Sequence, residues 1–149
     1  MTGWRWVVRG GLAALAGLNL WWGVWAVGAP RHFFVTFPGF GHRWTAGYPP
    51  FNEHLVSDLG SIFLTLGVLL TVAAVLDDAR VTAVVLAGTL VFNTLHLAFH
   101  STHHGTLVGF DLAASLASLV AGVIGPVVLL VLDRVVRRRA RAAVGAAPR

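Results

Sequence analysis

Four long stretches without a charged side chain dominate this sequence. They cover residues 10–30, 59–76, 81–110 and 112–132. A helix crosses the roughly 30 Å hydrocarbon core of a bilayer with about 20 apolar residues, so these stretches are suited to membrane spans. Ser-Thr-His-His-Gly at 101–105 interrupts the third stretch and favours a loop there. The sequence therefore predicts an all-α, integral membrane four-helix bundle, with spans at about 7–28, 51–76, 81–100 and 107–132.

Composition supports a membrane protein and excludes a water-soluble globular enzyme. Of the 149 residues, 56% are hydrophobic and 11% are charged, and the mean hydropathy is +0.75. An ordinary soluble domain has about 25% charged residues. The absence of cysteine excludes disulfides, thiolate metal sites and a thiol nucleophile. We predict one transmembrane domain over residues 1–136 and a basic, disordered tail over 137–149, where no apolar period is visible.

The distribution of arginine indicates the orientation of the chain. All eleven basic residues are Arg. Only Arg31 and Arg43 lie on one side of the predicted membrane, and the others lie near the two termini and at Arg80. Cytoplasmic loops carry an excess of Lys and Arg. We therefore predict a multi-pass protein of the bacterial inner (cytoplasmic) membrane, with both termini in the cytoplasm.

A signal peptide is the alternative interpretation of the first span. Arg5 and Arg9 would form its charged region, and a cleavage site would lie near Ala29. The apolar run is long, however, and carries three Trp residues at its far end, between residues 21 and 25. A Trp cluster is typical of an anchor at the membrane interface, which favours a retained span.

Histidine is the most informative residue type in the chain. In the predicted topology all seven histidines lie on the outer side: His32, His42, His54, His96, His100, His103 and His104. His54 and Asp58 are four residues apart and share one helix face, as do His96 and His100. Two histidines at this spacing can reach the same metal ion.

Ionisable groups on three spans fall at a similar predicted depth. With a rise of 1.5 Å per residue, Asp58 lies about 10 Å from Phe51 and Asp111 about 7 Å from Thr106, while His96 lies about 6 Å from the outer end of its span. Imidazole and carboxylate groups bind transition metals, and an intramembrane Asp is costly unless it has a function. We therefore predict a divalent metal ion (iron, zinc, copper or manganese) held by His54, Asp58, His96, His100 and Asp111.

Other polar residues near this level are assigned supporting roles. Asn93 and Ser115 would orient the ligands. Glu53, His103 and His104 would relay protons or complete the site. Two simpler interpretations remain open: Glu53 complements the dipole of its helix, and the two histidines belong to a solvated loop.

The first outer loop is unusually aromatic. Residues 30–48 include Phe33, Phe34, Phe37, Phe40, Trp44 and Tyr48. Such a segment either packs on the bundle at the membrane interface or forms a lid over the polar site. His32 and His42 would be additional ligands from this loop, but we expect neither to bind metal.

Two local motifs resemble known membrane proteins. Pro-Phe-Asn-Glu-His-Leu-Val-Ser-Asp-Leu-Gly at 50–60, after the aromatic loop, resembles an element of small four-span bacterial membrane proteins of uncharacterised function. The pattern His96-x-x-x-His100-x-x-His103-His104 is similar to the histidine boxes of membrane fatty-acid desaturases and hydroxylases, which hold two irons. A His-x-x-x-His plus Asp set also resembles the zinc site of ceramidase-type membrane hydrolases.

The predicted function is that of a metal-dependent membrane enzyme. It would act on a membrane lipid or other apolar small molecule, with oxidative chemistry favoured over hydrolysis. One alternative is a metal- or proton-handling transport component, and another is a non-catalytic structural membrane subunit. For any of these functions, the protein would form a homo-oligomer or join a larger membrane complex. A nucleic-acid partner is not expected, because the arginines lie at the ends of apolar runs, as beside anionic lipid.

Overall fold

The computed structural model describes residues 2–145, which form a mostly helical protein. The long helices are α1 (Thr2–Gly28), α3 (Glu53–Leu76), α4 (Ala79–Thr102) and α5 (Gly109–Gly145), and the short α2 (Pro30–Thr36) follows α1. Between α2 and α3, β1 (Pro38–Gly39) pairs antiparallel with β2 (His42–Arg43), and a 3₁₀ turn covers Thr45–Gly47.

The four long helices are long and apolar enough to cross a membrane. The predicted all-α membrane bundle of four spans is therefore confirmed. The side of the membrane that each terminus faces stays a prediction. We call the end of the bundle that carries residues 29–52 and 103–108 the loop end, and the end with the connection at 77–78 the turn end.

Helix boundaries differ from the predicted spans mainly at the two ends of the chain. Helix α1 begins at Thr2, and α5 continues to Gly145, into the segment for which we expected disorder. Ala and Arg are strong helix formers, and the ion pair between Asp133 and Arg137 bridges one turn of α5, so the helix continues without an apolar period. Residues 146–149 of the predicted tail lie outside the described residues.

Side-chain caps define the ends of the middle helices. The carboxamide of Asn52 accepts a hydrogen bond from the backbone of Leu55 at the start of α3. Asp77 ends α3 with a positive φ of 51°, and the carboxylate of Asp78 accepts from the first backbone N–H groups of α4. Backbone hydrogen bonds to this carboxylate lower the pKa of Asp78. These caps make the α3–α4 connection a tight turn.

The core has two parts. The part nearer the turn end draws on all four long helices, with Leu12, Leu70 and Leu86 essentially inaccessible. The part nearer the loop end is aromatic and centres on Phe33 of α2, which packs with Ala26 and Val56. The aromatic loop therefore packs on the bundle, as one of its two sequence interpretations predicted.

Helices α1 and α3 approach each other closely at glycines. A Cβ atom on Gly23 would lie 2.7 Å from the backbone nitrogen of Leu64, and one on Gly67 would lie 2.9 Å from that of Leu20. Because small residues allow helix backbones to approach, these glycines hold α1 and α3 together along much of their length.

A charge network joins three helices at the turn end. The guanidinium of Arg137 donates to both carboxylate oxygens of Asp133, at 2.7 and 2.9 Å, and to Asp77 at 3.0 Å. Arg5 of α1 also pairs with Asp77. This network connects the start of α1, the α3–α4 turn and the C-terminal part of α5.

Candidate functional site

The two loops at the loop end are joined by hydrogen bonds. The backbone N–H of Thr106 donates to the carbonyl oxygen of Gly47 at 2.8 Å. The hydroxyl of Tyr48 donates to the carbonyl oxygen of His103 at 2.9 Å. Leu107 packs so closely on Gly47 that a Cβ there would lie 2.8 Å from its side chain. The first loop is thus fixed to the ends of α4 and α5.

Tyr48 orients the imidazole of His100. Its oxygen lies 2.7 Å from Nδ1 of His100. Because the Tyr48 proton is donated to the His103 carbonyl, the Tyr48 oxygen accepts from His100, and Nδ1 carries the imidazole proton. Nε2 of neutral His100 then holds a lone pair. Burial raises the pKa of Tyr48, which keeps the hydroxyl protonated.

His96 lies one turn deeper on the same face of α4, as the sequence predicted. The ring centroids of His96 and His100 are 4.6 Å apart, and His96 also stacks on Phe92 at 5.4 Å. Both histidines are partly buried. The pair therefore lies at the loop end in surroundings that are partly aromatic.

A second histidine is held by a carboxylate. Nδ1 of His42, in β2, lies 2.6 Å from Oδ1 of Asp111 in the first turn of α5. The indole N–H of Trp44 donates to the same oxygen at 3.0 Å. Since an ionised carboxylate only accepts, Nδ1 of His42 carries the proton and Nε2 holds the lone pair.

His42 also borders a shallow groove on the surface of the first loop. The groove has a volume of about 490 Å³ and is lined by residues of the first loop: Val35, Thr36, Gly39, Phe40, Gly41, His42 and Arg43. A molecule in this groove would lie against His42, whose imidazole is oriented by Asp111.

The predicted ligands on α3 lie apart from these contacts. His54 and Asp58 pair with each other at 3.5 Å, and their side chains are 86% and 60% exposed. Glu53 is exposed in the first turn of α3, where a negative charge complements the helix dipole.

The remaining predicted site residues make local hydrogen bonds. The imidazole of His103 bonds to the carbonyl of Phe99, and that of His104 bonds to the carbonyl of Ser101. Both histidines therefore provide hydrogen-bond partners for backbone carbonyls in the last turn of α4. Ser115 donates to Leu112 within α5. Asn93, the other residue that was expected to orient the ligands, joins two helices instead. Its carboxamide, on α4, donates to the carbonyl of Gly122 on α5 at 2.7 Å.

The five predicted metal ligands are therefore not gathered in one place. Among residues 2–145 there is no group of three or more His, Asp or Glu side chains placed to hold a metal ion. His96 and His100 form one pair, His42 and Asp111 a second, and His54 and Asp58 a third.

Sequence reasoning missed the contributions of His42, Trp44 and Tyr48. Their partners lie far away in the chain, with His42 and Asp111 separated by 69 positions. Helix spacing finds partners three or four residues apart and gives no signal for contacts between loops. The indications in the sequence were the aromatic character of the first loop and the place of His42 among the histidines of the outer side.

Comparisons with protein families, with curated proteins and with solved structures gave no match.

Proposed function

We propose that this protein is a membrane enzyme whose loop end carries out acid–base chemistry on a membrane lipid or other apolar small molecule. The observation that carries the proposal is the pair of His42 and Asp111. The carboxylate holds Nδ1–H, and His42 is one of the residues that line the surface groove. A histidine held in this way is a common general base, because its tautomer and orientation are set before the substrate arrives.

His100 supplies a second acid–base group. Tyr48 accepts the hydrogen bond from Nδ1–H of His100, just as Asp111 accepts the one from Nδ1–H of His42. Each imidazole can therefore accept a proton at Nε2. His96 stands beside His100 and is a route for passing a proton along α4.

The surface around the loop end suits an apolar substrate. Phe40 is fully exposed at the tip of the first loop, and Val108 and Phe110 are largely exposed at the start of α5. Large apolar side chains at the end of a membrane bundle are stable at the lipid interface. We place this end on the outer side of the cytoplasmic membrane, because the arginines concentrate at the opposite end.

Lipid analysis of cells that express the protein tests this proposal. Wild type, His42→Ala and His32→Gln would be expressed to equal levels, and their membrane lipids compared by mass spectrometry. His32 is a matched control, because it lies in α2 and accepts a hydrogen bond from Trp25 of α1, and Gln keeps an acceptor. We expect wild type and His32→Gln to share a lipid change that His42→Ala lacks. Identical lipid profiles in all strains, including one without the protein, would overturn the proposal.

Metal-dependent chemistry is the second candidate. Metal-ligating histidines commonly donate their other ring N–H to an oxygen, as His42 and His100 do here. His96 and His100 would be the ligands from α4, with iron, zinc, copper or manganese as the ion. Such an ion would supply oxidative or hydrolytic chemistry.

Elemental analysis of purified protein tests the metal candidate. A bound ion in stoichiometric amount, lost in His96→Ala and kept in His32→Gln, would support it. Protein that takes up none of the four metals would overturn this candidate and leave acid–base chemistry without a metal.

A further inference from the structure

One face of α3 presents polar side chains outward from the bundle. We call His54, Asp58, Ser61 and Thr65 the α3 polar stripe. These residues are spaced by four, three and four positions, which places them on one face of the helix, and all four are exposed. Towards the turn end the same face becomes apolar, with Val68, Leu69, Val72 and Leu76 exposed.

The polar stripe reaches well into the membrane. With a rise of 1.5 Å per residue, Ser61 lies about 12 Å and Thr65 about 18 Å along α3 from Glu53. Asp58 has one ion-pair partner among the described residues, His54, and more than half of its side chain is exposed. Ionisable groups in membrane helices almost always face protein or water, because contact with lipid is costly. An isolated bundle would expose Asp58, about 8 Å along α3 from Glu53, near hydrocarbon.

We infer that the α3 polar stripe is the contact surface between two copies of this chain. The stripe is self-complementary, since it contains a cationic or hydrogen-donating group in His54 and an anionic acceptor in Asp58. A two-fold axis along the membrane normal places the same residues of two copies at the same depth. His54 of each copy then lies near Asp58 of the other, and the exposed charges are covered from both sides.

The hydroxyl residues of the stripe fit the same arrangement. Ser61 donates to the carbonyl of Ser57, and Thr65 donates to that of Ser61. Their oxygens retain lone pairs that can accept hydrogen bonds from a second helix. Ser57, Ser61 and Thr65 repeat every four residues, and small side chains at this spacing allow two membrane helices to approach closely.

This inference does not depend on the proposed enzymatic function. The stripe lies on α3, whereas the imidazoles invoked in that function are held by the first loop, α4 and α5. Loss of activity and loss of the dimer are therefore separate outcomes.

Cysteine cross-linking in membranes tests the dimer directly, because the chain contains no cysteine. Ser61→Cys and Thr65→Cys would be compared with Val91→Cys under mild oxidation. Val91 is 60% exposed on α4 and lies about 16 Å from the loop end of that helix, a depth similar to that of Thr65. We expect disulfide-linked dimers for the two stripe variants and monomer for Val91→Cys.

Three results would overturn the inference. They are monomer in all variants, equal cross-linking in all variants, and cross-linking of the stripe only to a protein of different mass.

Adding Asp58→Leu to Thr65→Cys tests whether the polar contact holds the dimer. Asp58 is exposed, so this change leaves the packing within one chain intact. We expect most of the cross-linked dimer to disappear. Undiminished cross-linking would contradict a contact held by the polar stripe.

Discussion

At the residue scale, Tyr48 makes a contact that depends on pH. It is the only tyrosine of the chain, and its hydroxyl joins His100 to the His103 carbonyl. Burial raises its pKa above the unfolded value. The contribution of its protonated hydroxyl to stability is therefore present below the unfolded pKa and is lost as pH rises through the folded pKa.

We predict that the stability of the wild type falls as pH rises above about 10, where the unfolded chain loses the tyrosine proton that the folded protein retains. Tyr48→Phe should lower stability at neutral pH by about 1 kcal/mol, because two hydrogen bonds are removed. The same substitution should also reduce the loss of stability at alkaline pH. Unfolding in detergent, followed by circular dichroism at a series of pH values, measures both effects. An equally steep alkaline loss in Tyr48→Phe would contradict this account.

Asp111 is the second residue whose substitution should lower the stability of the protein. Its Oδ1 accepts from both His42 and Trp44, and the side chain is 41% exposed. Asp111→Ala should cost about 1 kcal/mol, because two donors lose their partner in a partly solvated place. Asp111→Asn keeps an acceptor and should cost less. Unfolding midpoints of the two variants provide the measurement, and a smaller effect for Ala than for Asn would be inconsistent with the contact.

The sequence could predict the contacts of the candidate site that lie within one helix. It could not predict the contacts between the first loop and the helices α4 and α5. The pairing of His96 with His100, and of His54 with Asp58, follows from helix spacing. Which way an exposed helix face points does not follow from spacing, because a four-helix bundle can bury different faces of the same helix. His54 and Asp58 therefore lie on the predicted face of α3 but away from Asp111, which is bound by His42.

At the element scale, the contact between α1 and α3 is held by glycines. Gly23→Ala would push a methyl group to 2.7 Å from the backbone of Leu64, and neither helix can relieve this without moving. We predict a loss of about 1–3 kcal/mol. Gly17→Ala, on the open side of α1 with nothing within 4 Å, is the control and should be neutral or slightly stabilising. Equal effects of the two substitutions on unfolding in detergent would contradict this packing.

The number and type of the long elements were predictable, and their ends were less so. Uncharged runs fixed the four spans, because crossing the membrane requires length and apolarity. The extension of α5 to Gly145 depends on helix propensity and on the Asp133–Arg137 pair, which a search for apolar periods overlooks. Helix α2 and the β1–β2 hairpin form where aromatic residues pack on α1, a contact that no local pattern encodes.

At the scale of the whole molecule, the prediction concerns orientation. Among the described residues, the turn end carries the start of α1, the C-terminal part of α5 and most of the arginines, and the loop end carries all seven histidines. We expect a reporter active only in the cytoplasm to be active when fused after Arg149 and inactive when inserted at Gly41. Gly41 lies at the exposed tip of the hairpin, so an insertion there is tolerated more readily than one in a helix. The opposite pattern would place the histidines in the cytoplasm.

The two ends of the bundle differ in their chemistry as well as in their charge. Ion pairs join α1, α3 and α5 at the turn end, whereas hydrogen bonds between loops orient imidazoles at the loop end. The first arrangement holds helices together. The second holds Nδ1 of two rings, so that Nε2 of each neutral ring keeps a lone pair, and the proposed function depends on this.

Nitrogen NMR of histidine in lipid nanodiscs tests that account most directly. With ¹⁵N-labelled histidine, the shifts of the two ring nitrogens report which one carries the proton, and His42→Ala and His100→Ala assign the signals. We predict the Nδ1–H tautomer for both residues at neutral or mildly alkaline pH, a change at His100 in Tyr48→Phe, and a change at His42 in Asp111→Ala. The Nε2–H tautomer at both positions in the wild type, unaffected by these substitutions, would contradict the proposed site.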